Sequence, residues 1–428
     1  MITQFLESRT DYSGQARVCG AHSCCEIACF RTFLSSVLRE KDRSRLPQST
    51  PAKWLTQSEL ERYSRQLVLP ELGPQGQRKL KQSSALIVGA GGLGIPASLY
   101  LTAAGVGRIG IMDGDVVEKS NLHRQLIYSE EDVGRPKALV AGERLQHANP
   151  HAHVEPQEAR LTSANALEIL KGYDVVVDCT DNFPTRYLIN DACVLLGKPD
   201  VYASVFRFDG QASVFDARRG PCYRCLFPDP PPPDSVQDCA AAGVLGVLPG
   251  ILGSIQAVEA MKLLLGHGEP LVGRLLLLNA TEMSFNELRF KKNRSCPVCG
   301  ANPTVTKLID YEEFCGARTT LPRVGEITPK ELRQMLDSAG NLVLLDVREP
   351  FEHELCRIEG SKLIPLGELG QRIRELDRSV DTVVYCRVGE RSARAVEILT
   401  SEGFQRVRNL KGGIRAWAEE VDPSMPVY

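Results

Sequence analysis

Two cysteine pairs, two single cysteines, a glycine-rich turn and a few polar residues near it can do chemistry in this sequence. Cys222-Tyr-Arg-Cys225 and Cys296-Pro-Val-Cys299 each offer two thiolates at a spacing that suits one tetrahedral zinc ion. The 70 residues between the pairs are too many for a local ribbon. The tertiary fold must therefore close the site, which makes it structural. A redox pair or unrelated thiols are the competing readings. Cys239 precedes the small, non-periodic run Ala240-Ala-Ala-Gly-Val-Leu-Gly246 and follows the stiff stretch Pro228-Asp-Pro-Pro-Pro-Pro233. A lone cysteine on such a loop is a candidate nucleophile, or simply a buried apolar side chain. Cys386 follows the apolar run Thr382–Tyr385 and precedes a helix-like stretch from Ser392. A helix dipole and converging amides favour a thiolate there, and the same cradle can hold the anionic sulfur of a persulfide. Within Cys386-Arg387-Val388-Gly389-Glu390-Arg391 the arginine at the far end adds positive charge.

Ala85-Leu-Ile-Val-Gly-Ala-Gly-Gly-Leu-Gly94 places Gly89, Gly91 and Gly94 at the spacing G-x-G-x-x-G. Glycines there allow a tight turn and let amide N–H groups hold a phosphate. A second apolar run, Arg108–Met112, ends at Asp113, where a dinucleotide fold binds ribose hydroxyls. That much fits an NAD-dependent dehydrogenase equally well. The next residues fit it less well. Arg124 and Lys137 can offset charge building on phosphate oxygens, and Asp181 can hold magnesium. Attack at a triphosphate needs that set, and hydride transfer does not.

These side chains require elements to position them. Ala85–Val88 reads as a buried parallel strand, and Ile95–Ala104 as the helix that packs back on it. Tyr173–Asp178 reads as another buried strand, running into Cys179-Thr180-Asp181-Asn182. Each polar group thus follows a strand end, where open α/β sheets keep their ligands. Ser58–Leu67 opens a helix with Thr56 or Ser58 as N-cap. Pro249–Leu265 reads as a buried helix, and 274–290 as strands. Farther on, Thr328 caps a helix with Pro329 at its first position, and Leu342–Leu345 forms a strand. The fold class is α/β throughout: a Rossmann-like nucleotide domain with a structural zinc site, then a smaller α/β domain.

The chain has 428 residues, 43% of them hydrophobic and 24% charged, with a net charge of −2. That length accommodates two or three domains. The charge gives no basis for direct nucleic-acid or membrane-surface binding, and no apolar run reads as long enough to span a bilayer. Fourteen cysteines, paired locally, point to metal and thiol chemistry in a reducing compartment, the cytosol. Residues 1–53 stand apart. Their apolar residues lack periodicity, and Cys19, Cys24, Cys25 and Cys29 match no zinc spacing. They are expected to form a disordered extension. A signal peptide is not expected, because no basic region precedes an apolar core.

Residues from Trp54 to Phe314 resemble the HesA/MoeB/ThiF family, the adenylating enzymes of ubiquitin-like sulfur carriers. The matching stretches are Arg62-Tyr-Ser-Arg-Gln66, the glycine loop, Asp113-Gly-Asp115, Ser120-Asn-Leu-His-Arg-Gln125, Lys137 and Cys179-Thr-Asp-Asn182. The resemblance implies a homodimer in which Arg65 reaches the partner subunit's ATP. It implies that Gly92, Asp113, Asn121, Arg124, Gln125 and Lys137 line the nucleotide, and that Asp181 is essential for adenylation. The expected binding set is completed by Gly89, Gly91, Gly94, Asp115, Ser120, Leu122, His123 and Asn182, with His123 read as a packing or spacer residue. The resemblance also supports the zinc site and favours Cys239 as a nucleophile, because members fused to a sulfurtransferase carry a cysteine in the equivalent loop.

Asp346-Val-Arg-Glu349, the Cys386–Arg391 loop and Asn409-Leu-Lys-Gly-Gly-Ile-Arg-Ala-Trp417 resemble a rhodanese domain. Cysteine phosphatases use similar architecture with five residues between Cys and Arg. The four here suit a sulfur atom better than a phosphate. Cys356-Arg357 stands where many rhodaneses have Gly-His, and Cys356 reads as packing. The expected boundaries are 54–315 for adenylation and 316–428 for the rhodanese domain. Together they resemble the bifunctional adenylyltransferase/sulfurtransferases of molybdenum-cofactor synthesis and tRNA thiolation. The resemblance implies ATP, Mg2+ and Zn2+ as cofactors. Its implied partners are the small subunit of molybdopterin synthase, the ubiquitin-related modifier, and a cysteine desulfurase or other sulfur donor. A dinucleotide-dependent oxidoreductase with a rhodanese tail and a non-catalytic carrier-binding scaffold are the alternatives.

Overall fold

The computed structural model describes residues 54–231, 243–316, 325–338 and 342–426. The extension 1–53 and Cys239 therefore lie outside the described residues. The first part of the chain runs α1 (Gln57–Arg62), α2 (Ser64–Leu67), α3 (Gly73–Gln82), β1 (Ser84–Val88), α4 (Gly94–Ala103), β2 (Arg108–Met112), α5 (Lys137–Ala148) and β3 (His153–Gln157). It continues through α6 (Ala166–Lys171), β4 (Val175–Asp178), α7 (Phe183–Leu196), β5 (Asp200–Phe206), β6 (Asp209–Phe215) and α8 (Tyr223–Leu226). Then come α9 (Leu248–Leu265), β7 (Arg274–Asn279), β8 (Ser284–Arg289) and α10 (Tyr311–Phe314).

These strands form one sheet in the order β3-β2-β1-β4-β5-β6-β7-β8. The pairs from β3 to β5 are parallel and those from β5 to β8 antiparallel. The direction of strand addition reverses between β1 and β4, and an open α/β sheet leaves its ligand crevice at such a reversal. Every residue of β1 is buried, as parallel strands covered on both faces require. Leu86, Val88, Val176 and Leu188 pack on one side, while Ala85, Ile87, Leu101 and Leu252 pack on the other.

Helix α9 is long and apolar enough to cross a membrane by length and composition, contrary to the expectation from the sequence. It packs instead against α4 and strands β4, β5 and β6. Gln256 and Glu259 within it are buried among hydrogen-bond partners of the same sheet and loops. The stretch read as one helix from Ser58 is two. It breaks at Tyr63, whose buried hydroxyl accepts a hydrogen bond from Asn149 and whose ring fills the space beside Gly105.

The later part runs β9 (Glu326–Ile327), α11 (Pro329–Asp337), β10 (Leu342–Asp346), α12 (Pro350–Leu355), β11 (Lys362–Leu363), α13 (Leu369–Arg372), β12 (Asp381–Tyr385), α14 (Glu390–Ser401), β13 (Val407–Leu410) and α15 (Gly413–Glu420). Its five strands lie parallel in the order β11-β10-β12-β13-β9. Here the reversal falls between β10 and β12, so the ends of those strands, Asp346 and Tyr385, sit side by side. Thr328 and Glu331 form a reciprocal capping box at the start of α11, with Pro329 first in the helix as expected. Helix α14 starts at Glu390, two residues before the expected Ser392. Gly389 adopts φ +104° and turns the chain into the helix earlier.

Candidate functional site

The glycine loop lies at the first reversal. Gly89 has φ +101°, and a Cβ there would come within 2.7 Å of the Cys179 carbonyl. A Cβ on Gly94 would collide with the Gly89 carbonyl. Both positions need glycine, and the turn rests directly against the segment that carries Asp181. Asp113, at the end of β2, accepts the Ala90 amide with one oxygen and the Asp115 amide with the other, both at 2.8 Å. Burial raises its carboxyl above the ordinary range, and the Lys137 ammonium works against that shift. Lys137 is buried at the first position of α5, 3.7 Å from the Asp115 carboxylate, which also accepts Arg160 at 2.9 Å.

Asn121 organises the opposite wall. Its Oδ1 accepts Arg124 at 3.0 Å and Gln125 at 3.1 Å. The Ser120 carbonyl takes a second Arg124 bond at 3.1 Å and the His123 ring at 3.0 Å. Gly91 would place a Cβ 3.6 Å from Gln125 Nε2, and Gly92 would place one 3.6 Å from Arg124 Cγ. The wall therefore stands within reach of the loop. Gln125 Oε1 is buried without a partner among the described residues and so awaits a donor. Leu122 packs into the apolar cluster beneath.

The structure thus brings together the glycine loop, Asp113, Asp115, the 120–125 segment and Lys137, with the 179–182 turn against the loop. Asp181 is exposed beyond β4. Asn182 caps α7 by accepting the Thr185 amide. Arg65 is not in this network: it is exposed on α2 and makes no hydrogen bond to any of these residues.

No sequence motif marks three further positioning residues. Arg186 is buried and donates to the Thr180 carbonyl at 2.7 Å and the Tyr202 hydroxyl at 2.9 Å. Gln256 donates to the Asp178 and Val201 carbonyls at 2.7 and 2.9 Å. Asp178 itself accepts the Thr180 amide and hydroxyl. The turn before Asp181 is therefore clamped while its carboxylate stays exposed. Tyr128 is the third: its hydroxyl donates toward the Ala90 and Lys137 carbonyls and links loop to lysine. Only the placement of Arg186, five residues after Asp181 on a new helix, offered a clue.

The two cysteine pairs converge. The four sulfurs of Cys222, Cys225, Cys296 and Cys299 all lie within 4.8 Å of one another. Cys222–Cys225, Cys222–Cys296 and Cys225–Cys299 are 3.9, 3.6 and 3.4 Å apart. A tetrahedral ion with metal–sulfur bonds of about 2.3 Å needs sulfurs about 3.8 Å apart, so the set fits one such ion. Hydrogen bonding to Cys222 lowers the Cys225 thiol to about 6 and lowers that of Cys296. Its bond with Cys225 raises Cys222 in turn. Arg224, between the first two cysteines, is buried and donates to Asp191 at 2.8 and 2.9 Å; Tyr311 and Asn190 also donate to that carboxylate. This ion pair seats the first cysteine pair on α7.

In the second sheet Cys386 is buried at the end of β12. Its sulfur accepts the Gly389 amide at 3.1 Å and the Ser392 hydroxyl at 3.3 Å. Arg391 departs from expectation. Its guanidinium donates twice to Glu352, at 2.6 and 2.7 Å, so its charge is neutralised rather than added to the loop. Arg387 and Glu390 flank the loop, and Val388 is exposed at its tip. Beside it, Arg348 and His353 both bond Asp346, whose carboxyl they lower against the effect of burial. Cys356 is buried against Arg348, as packing.

Residues 63–298 match the ThiF family. The chain belongs to the ThiF family. Residues 328–420 match the rhodanese-like domain, so this ThiF-family protein carries two catalytic folds in series. It is 46% identical over 392 residues to a probable adenylyltransferase/sulfurtransferase MoeZ of Mycobacterium tuberculosis, covering 89% of this chain and 98% of that one. It is 59% identical over 271 residues to a sulfur carrier protein adenylyltransferase of Thermus thermophilus, covering 62% of this chain and all of that one. The fold is also that of E. coli MccB crystallised with AMPCPP and MccA (TM-score 0.51, 21% identity, 66% of this chain and 83% of that one). This ThiF-family protein is an ATP-using adenylyltransferase joined to a rhodanese sulfurtransferase. The comparisons give no support to a dinucleotide-dependent oxidoreductase, and the relatives are named as enzymes rather than scaffolds.

Proposed function

We propose that the chain adenylates the C-terminal glycine of a ubiquitin-like sulfur carrier and then converts it to a thiocarboxylate. The glycine loop, Asp113, Asp115, the 120–125 segment and Lys137 take ATP in the first crevice. Gln125 Oε1, buried without a partner, supports this reading because a ribose or base donor would satisfy it. Arg124 and Lys137 face the phosphates, and Asp181 and Asn182 lie where the carrier tail arrives. Asp181 would hold Mg2+, which screens phosphate charge when bound. The carrier carboxylate attacks the α-phosphate, and pyrophosphate leaves with its bonding pair. Arg65 reaches the ATP of a partner subunit in a homodimer. The exposed Val68 and Leu69 beside it suit a protein contact. Cys222, Cys225, Cys296 and Cys299 hold Zn2+ as a structural tie. The functional boundaries are 54–315 and 316–428.

In the second stage a cysteine desulfurase, or another donor, leaves a persulfide on Cys386, within the Cys386–Arg391 loop. Its outer sulfur attacks the acyl-adenylate and AMP departs, giving an acyl disulfide. Cys239 attacks the Cys386 sulfur, and the carrier leaves as thiocarboxylate. The resulting Cys239–Cys386 disulfide needs a dithiol reductant. Cys239 can alternatively form a thioester with the carrier first. The carriers are the small subunit of molybdopterin synthase, the ubiquitin-related modifier or both. The chemistry belongs in the cytosol, for molybdenum-cofactor synthesis, 2-thiolation of tRNA, or both.

The observation that carries the reading is one chain with a clamped acidic turn beside a glycine loop and a buried, amide-bonded cysteine on a second sheet. ATP–pyrophosphate exchange with each purified carrier tests the first stage. Cys386→Ala should keep exchange and abolish thiocarboxylate; loss of exchange as well defeats the proposed division of labour.

A further inference from the structure

The stretch Asn409-Leu-Lys-Gly-Gly-Ile-Arg415 has no part in either stage as described so far, yet its polar contacts converge on the Cys386 loop. The Ile414 amide donates to the Cys386 carbonyl at 2.8 Å, and the Arg415 amide donates to the Arg387 carbonyl at 3.1 Å. Asn409 Nδ2 donates to the Gly389 carbonyl at 3.1 Å. A trans peptide plane points its N–H opposite its C=O. Holding these three carbonyls from behind turns the amides of Arg387, Val388 and Glu390 forward. The Gly389 amide already meets Cys386 Sγ.

The segment is shaped for close approach. Gly412 and Gly413 have φ +71° and +60°. A Cβ on Gly413 would lie 2.6 Å from the Arg387 carbonyl oxygen and closer still to that of Cys386. Asn409 is buried, and its Oδ1 has no partner among the described residues. The side chain thus keeps its amide in the core for the bond to Gly389. With the Arg391 guanidinium bonded twice to Glu352, the donors that meet the sulfur directly are the Gly389 amide at 3.1 Å and the Ser392 hydroxyl at 3.3 Å.

We propose that Asn409 and the Gly412–Gly413 turn are positioning elements for sulfur transfer. They hold the loop's carbonyls back so that its amides meet the anionic outer sulfur of a Cys386 persulfide. This rests on Cys386 as the sulfur carrier.

Transfer from thiosulfate to cyanide by the full-length protein tests it. The Cys386 thiolate attacks the outer sulfur of thiosulfate, the S–S bond breaks and sulfite leaves with the electron pair. Cyanide then takes that sulfur as thiocyanate and returns the thiolate. Asn409→Asp keeps the side chain's size but loses the donor, and Gly413→Ala pushes on the loop. Each should lower kcat by about 10²-fold while KM for thiosulfate stays within a few-fold, as expected of a misplaced reacting group. Each should also shorten the lifetime of the Cys386 persulfide, followed by the mass of one added sulfur. Melting curves identify folded variants, and Asn409→Ala replaces either one that does not fold. A folded variant with wild-type kcat and persulfide lifetime overturns the proposal, as does a rise in KM alone. Failure of the wild-type protein to take up sulfur on Cys386 overturns the carrier reading and the proposal with it.

Discussion

Glu352 and Arg391 form a two-point ion pair, 2.6 and 2.7 Å long, that joins α12 to the start of α14, where the Cys386–Arg391 loop ends. Their side chains are 5% and 12% exposed, so the pair is nearly dry. Breaking a buried pair strands a charge and costs about 3–5 kcal/mol, whereas replacing both partners by apolar groups costs far less. Glu352→Gln should therefore lower the melting temperature sharply, and Glu352→Met combined with Arg391→Met should recover most of the loss. Equal destabilisation in the single and double variants would show that the pair is not the cause.

Asp200 predicts a pH dependence. Burial raises its carboxyl well above the usual range; the Asp178 charge adds to this and Arg186 opposes it. The folded state thus holds a proton that the unfolded chain releases near pH 3.9. Its contribution is fully present below that pH and is lost as pH rises toward the folded-state value. Asp200→Asn should remove this slope and raise the melting temperature at pH 8 relative to wild type. An unchanged melting temperature across that range would contradict the assignment.

Arg186 fixes the Thr180 carbonyl just before Asp181. Arg186→Lys keeps the charge but not the two-pronged geometry. Pyrophosphate exchange should fall by about 10²-fold in kcat, the usual effect of misplacing a reacting group by about 1 Å. Retention of full exchange would place the importance of Asp181 outside this clamp.

Metal analysis of the purified protein should find one zinc per chain. Cys296→Ser should lose it, and both that change and a strong chelator should lower the melting temperature, because binding at such a site is coupled to folding. A full zinc complement in the variant would mean that the four cysteines are not the ligand set.

How much of this was legible in the sequence depends on the range of the interactions involved. Local rules determined the strands around Val88, Met112, Asp178 and Tyr385, the Thr328 cap with Pro329, and the glycine turn, because each is set by neighbours within a few residues. Cys-x-x-Cys spacing named four candidate metal ligands, but their meeting across 70 residues required the fold to close. Arg391 shows the limit most clearly. Its place in the loop promised a positive charge near sulfur, and only tertiary structure supplied Glu352, 39 residues earlier, to cancel it. Arg186, Gln256 and Asn409 are likewise ordinary polar residues in sequence; burial decides their roles, because a dry polar group must find a partner and so fixes whatever it meets. The sequence by itself determined which residues can react and which elements carry them, through periodicity and steric limits on the backbone. Tertiary structure alone decided which charges remain available and which carbonyls are held back, since those depend on groups far apart in the chain sharing one low-dielectric space.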